Sequence, residues 1–137
     1  MNRRLWLCVV LALSACHSQA PPRDLFPPTV AGVWKRTGLT NPSAAEAPDP
    51  VPRTTIDWLQ IATYEGPGKL EARVYGLSSP GVALDMVQRW RASANTVFFY
   101  RGSNFVVIKW DQADRKALQA FVSELETHLG KDKEQAG

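Results

Sequence analysis

Hydrophobic and polar positions keep a regular order from Thr54 onward, and each pattern predicts an element. TTIDWLQIATY, residues 54–64, is rich in β-branched and aromatic residues and predicts a strand. EGPGK then sets Pro67 and Gly68 at the centre of a type II turn, where proline presets φ and glycine accepts a positive φ. In LEARVYGL, Leu70, Ala72 and Val74 alternate with Glu71, Arg73 and Tyr75, so a strand with one buried face returns as a hairpin. Ser79 predicts an N-cap and Pro80 a first helical residue, whose missing N–H would be unpaired anyway. Ala83, Met86, Val87 and Trp90 follow at helical spacing. TVFFY and FVVIKW, joined by RGSN, form a second hairpin whose near-continuous apolarity predicts central strands covered on both faces. DQADRKALQAFVSELETHL predicts a last helix capped by Asp111, striped by Leu118, Phe121, Val122, Leu125 and Leu129, and ended by Gly130.

Upstream the pattern breaks down. LFPPTVAGVWKRTGL is too rich in proline and glycine for a helix and predicts an irregular strap that lays Leu25, Phe26, Val30 and Trp34 on the core. Residues 41–53 hold four prolines and predict an exposed loop. The expected architecture is α+β: a four-stranded, mainly antiparallel sheet in ββαββα order, with two helices packed on one face and the strap on the other. Residues 25–130 form the domain, and 131–137 a disordered polar tail.

The chain opens MNRRLWLCVVLALSACHSQA, a basic start, a short apolar run and small residues, which is the layout of an export signal. The run is well short of the ~20 residues a spanning helix needs. Leu13-Ser14-Ala15-Cys16 resembles the lipobox of bacterial lipoproteins. That resemblance implies that the Cys16 thiol receives a diacylglycerol, that residues 1–15 are removed, and that Cys16 becomes the first mature residue. Several acyl chains at roughly 0.8 kcal/mol per buried methylene hold a protein on a bilayer far more firmly than one. Residues 16–24 then serve as a short tether. Cys8 leaves with the signal, so no intramolecular disulfide is expected. His17 stands where an aspartate is associated with inner-membrane retention, which favours the periplasmic face of an outer membrane.

Charge narrows the partners. The chain has 16 Lys+Arg and 13 Asp+Glu; removing Arg3 and Arg4 leaves 14 against 13, with no concentrated basic run to bind nucleic acid. Candidate chemistry is sparse. GPGK lacks the glycine spacing and the Ser or Thr of a phosphate loop. Glu124 and His128, four apart on a helix, lack a third metal ligand, and neither histidine has the rigid partner of a catalytic triad. No catalytic residue, cofactor or metal is expected. The aromatic residues Trp34, Trp58, Trp90 and Trp110 remain, with Arg89 and Arg91 flanking Trp90, and of these Trp34, Trp58, Arg89, Trp90 and Arg91 are the candidate contacts for a partner or ligand.

FPPTVAGVWKR, with Gly32 ahead of Val33-Trp34-Lys35-Arg36, and Val74-Tyr75-Gly76-Leu77-Ser78-Ser79-Pro80 with Ala83, together resemble a group of exported bacterial proteins without an assigned activity. The inserted Val33 departs from their pattern. The resemblance implies a small exported α+β domain and no mechanism. The leading expectation is therefore a lipid-anchored, non-catalytic interaction module or accessory subunit of the cell envelope, with a protein partner. The alternative is a periplasmic small-molecule or lipid-binding protein with a pocket between sheet and strap around Trp34 and Trp58; a hydrolase comes third.

Overall fold

A computed structural model describes residues 24–47, 51–91 and 93–135; Cys16 and the rest of the expected signal and tether up to residue 23 lie outside them. Six strands form one antiparallel sheet: β1 (Thr29–Val30), β2 (Trp34–Thr40), β3 (Ile56–Glu65), β4 (Gly68–Leu77), β5 (Thr96–Arg101) and β6 (Asn104–Ala113), in the order β1-β2-β3-β4-β6-β5. The described residues also form two α-helices, α1 (Pro80–Arg89) and α2 (Arg115–Gln135), and two short 3-10 turns, Ala44–Glu46 and Arg53–Thr55. The α+β class stands, but the four-stranded sheet is corrected to a curled six-stranded half-barrel.

The two extra strands come from the predicted strap. Ala31 and Gly32 take left-handed φ values of 53° and 70°, which turns the chain from β1 into β2. The alternation of β2 is hidden in the sequence because Arg36 replaces an apolar residue on the buried side. Its guanidinium donates to the Phe26 carbonyl at 2.6 Å, and a register shift between Arg36 and Gly38 further disturbs the period.

The second correction concerns the helices, which pack on opposite faces. Leu70, Ala72, Val74, Val106 and Ile108 share a core with Phe121, Leu125 and Leu129 of α2. The alternate positions Tyr75, Leu77, Phe105 and Val107 share a second core with Ala83 of α1, joined by Val82, Met86 and Val87. The strap lies on the α2 side, where Leu25, Phe26, Val30 and Trp34 are buried, so it does not cover the opposite face. Helix α2 touches β1 at one flank of the sheet and β5 and β6 at the other, and the sheet curls around it.

Local signals fare unevenly. Ser79 caps α1 as predicted, its Oγ accepting from the Val82 N–H at 3.2 Å. The second hairpin is only half central: β6 lies between β4 and β5, while β5 is the last strand of the sheet. β6 runs on to Ala113, so Asp114 rather than Asp111 caps α2, its carboxylate accepting from the Ala117 N–H at 3.0 Å. Helix α2 continues through Gly130 to Gln135, across most of the expected tail. Within the expected exposed loop, Ala47 and Val51 are buried in the α1-side core. Among the described residues the one fully buried polar side chain, Gln60, ties strap and loop to the sheet: its Oε1 accepts from Leu25 N–H at 2.7 Å and its amide donates to Asn41 at 2.9 Å.

Candidate functional site

The curl of the sheet leaves a groove between α2 and its β5–β6 flank. β5 begins at Thr96, opposite Lys109, so β6 outruns it and residues 110–113 have no β5 partner. The Trp110 backbone N–H reaches only the Asn95 carbonyl, at 3.1 Å. Trp110 is half-buried against the α2-side core and lines the groove. The resulting cavity, about 540 Å³, has an apolar wall of Val97, Trp110, Ala113, Leu118 and Val122. Leu118, Gln119, Val122, Ser123 and Glu126 succeed one another along the helix at its lining positions, which is the stripe expected of an amphipathic helix whose face is only partly covered.

Its two ends differ in charge. At the far end, Glu126 of α2 pairs with Arg101 at the end of β5 and links helix to strand. At the near end, Arg115 opens α2, is exposed and takes part in no ion pair among the described residues. Its neighbour Asp114 is committed to the helix cap. The groove thus has an apolar wall with Gln119 and Ser123 along its helix side, and is neutralised at one end and cationic at the other.

A second hollow of about 670 Å³ lies across the sheet near the β3–β4 turn, with Thr63, Glu71, Arg73 and Lys109 among its lining residues and Trp110 again at its edge. Its charges largely satisfy one another. Arg73 is hydrogen-bonded to Glu71; burial works against its charge, but its bonds to Glu71 and Tyr75 outweigh that and raise its pKa. Burial likewise raises the Tyr75 phenol, with Arg73 opposing. The Tyr64 phenol, buried under α2, is also held above its ordinary range by desolvation, against a lesser effect of Arg36. Each of these shifts follows from burial and from the partners just named.

The structure separates the candidate contact residues. Trp34 is wholly buried, donates from Nε1 to the Ala117 carbonyl at 2.9 Å and meets Phe121 edge-on at 5.8 Å. Trp58 is half-buried and lies over Gly76. The strap itself packs where a pocket around Trp34 and Trp58 was expected. Trp90 belongs to the other face, stacked on Phe98 at 5.3 Å and 5.0 Å from Phe105. Arg89 pairs with Asp85 at 2.9 Å, and Arg91 is exposed. Glu124, weighed as a metal ligand, accepts a hydrogen bond from the Ala31 N–H and so fastens α2 to the β1–β2 turn. Among the described residues Trp110 is the tryptophan at both hollows; the sequence carries no signal for it, because FVVIKW is only one residue longer than TVFFY and the further run of β6 to Ala113 shows only in the structure.

Compared with known proteins, the chain matches no family model. No curated protein and no solved structure matches it either.

Proposed function

We propose that this is an exported, lipid-anchored envelope protein whose folded part is a non-catalytic binding module, with the groove between α2 and the β5–β6 flank as its binding site. The observation that carries the reading is the concave apolar cavity where β6 outruns β5. Its volume lies within the ~300–1,000 Å³ of small-molecule sites, and such sites combine apolar walls with a few placed polar groups, as Arg115 does here. The acylated Cys16 and the tether after it would keep this site close to the periplasmic face of a membrane, where an accessory subunit or an apolar ligand would meet it.

Two variants test the proposal in native membranes. Cys16→Ala should release the protein from the membrane fraction and abolish its acyl mass. Val122→Arg, which places a cation on the groove wall, should abolish whatever the anchored protein captures after mild crosslinking. An acyl-free yet membrane-bound Cys16→Ala protein defeats the anchor, and a capture profile unchanged by Val122→Arg defeats the groove.

A further inference from the structure

Resting on that reading, we infer that the groove takes a single acyl chain bearing an anionic head, with the chain along α2 and the head at Arg115. The wall fits a chain: Val97, Trp110, Ala113, Leu118 and Val122 form a continuous apolar surface on two sides, helix and sheet. The lining positions from Arg115 to Glu126 span about 17 Å of helix, enough to take up most of an extended long-chain fatty acid. Charge sets the direction. Glu126 is already neutralised by Arg101, while Arg115 has no anionic partner among the described residues and its guanidinium can bind a carboxylate or phosphate with two parallel hydrogen bonds. The Arg101–Glu126 link closes the far end, so an amphiphile enters with its tail there and its head outward at the helix start.

The test uses the acylated, full mature protein in phosphatidylethanolamine vesicles with palmitic acid carrying a diazirine in its chain. After illumination the label should concentrate on tryptic peptides 92–101, 110–115 and 117–131, which hold the groove wall. Val122→Arg should abolish that labelling. Arg115→Glu, an exposed change that leaves the fold intact, should lower it about tenfold, equivalent to ~1.4 kcal/mol. The matching uncharged diazirine alcohol should label wild type and Arg115→Glu alike. Unlabelled palmitate and lysophosphatidylglycerol, added separately, distinguish a free fatty acid from a lysolipid as the better competitor; competition by either supports the inference and competition by neither overturns it. Label spread evenly over the protein, or unmoved by both variants, also overturns it. Should Val122→Arg abolish capture of a protein partner while the palmitate probe ignores the groove, the binding module stands and the acyl occupant falls.

Discussion

Trp58 and Gly76 are paired across β3 and β4, and their fit can be tested quantitatively. A Cβ at position 76 would lie 2.1 Å from Cε2, 2.2 Å from Nε1 and 2.5 Å from Cδ2 of the Trp58 indole. Carbon atoms in good contact sit ~3.5–4 Å apart, so the ring must leave its seat or the strands must separate. Gly76 is not among the positive-φ residues, and its backbone gives an alanine no other difficulty. Gly76→Ala should therefore cost about 1–3 kcal/mol, the ordinary range for overpacking, by displacing the indole, which holds the nearest atoms. Trp58→Ala removes the obstacle and should cost about 2 kcal/mol by itself, less than a fully buried tryptophan because Trp58 is only half-buried. In the Trp58→Ala background, Gly76→Ala should then be neutral or slightly stabilising, since alanine restricts the unfolded chain more than glycine does. The double variant is thus expected to be more stable than the sum of the single losses by about 1–3 kcal/mol. Urea unfolding followed by circular dichroism on wild type, both single variants and the double variant measures this, provided the four slopes agree. Additive losses, within ~0.5 kcal/mol, would refute the contact and return Trp58 to the pool of residues available for a partner.

Two further predictions concern the α2-side core. Tyr64 donates its hydroxyl to the Pro27 carbonyl at 2.7 Å, and burial raises its pKa above the ordinary 10.0. Below that pH the phenol is neutral folded and unfolded, and its contribution is complete. Above it the unfolded chain ionises while the folded one resists, so stability falls by up to roughly 1.4 kcal/mol per pH unit for this residue. Tyr64→Phe should lose about 1 kcal/mol at neutral pH with the hydrogen bond, yet decline less steeply above pH 10; parallel declines in the two proteins would count against the assignment. Phe121 meets Trp34 at 5.8 Å and Tyr64 at 4.9 Å, both edge-on, and anchors α2 inside the curl. Phe121→Ala should cost ~3–5 kcal/mol and expose the amides of α2 to hydrogen exchange before those of β3 and β4. Loss of protection in all three at once would show that α2 is not a separately docked element.

What the sequence discloses about this fold depends on whether the deciding interaction is local. The start of α1 is legible because its cap, Ser79 Oγ to Val82 N–H, lies within four residues. The β3–β4 and β5–β6 hairpins are legible because their alternation is local too, although the β3–β4 turn is not the expected type II turn: Gly68 takes φ 157° as the first residue of β4. β2 is not, because Arg36 occupies an inward position that only a carbonyl ten residues away makes acceptable. Asp111 and Asp114 are equivalent as cap candidates, and the choice falls to Asp114 because β6 keeps pairing with β4 up to the Gly68–Ala113 contact. A helical stripe states that a helix has a buried side but is silent on which face of the sheet receives it. The information was nevertheless present in the strands: LEARVYGL puts Leu70, Ala72 and Val74 on one side and Tyr75 and Leu77 on the other, and a β6 apolar on both faces requires two covers, one for each helix. The groove is not legible in this way. Residue type could not separate Trp110 from Trp34, since both are tryptophans in amphipathic strands. Strand length separates them only in the folded chain, since TVFFY and FVVIKW differ by one residue and do not disclose it: β6 outruns β5 and must leave its last side chains against something other than that neighbour. Here that is α2, which meets the sheet from the far side of the curl and leaves between itself and Trp110 the space the proposed ligand would fill.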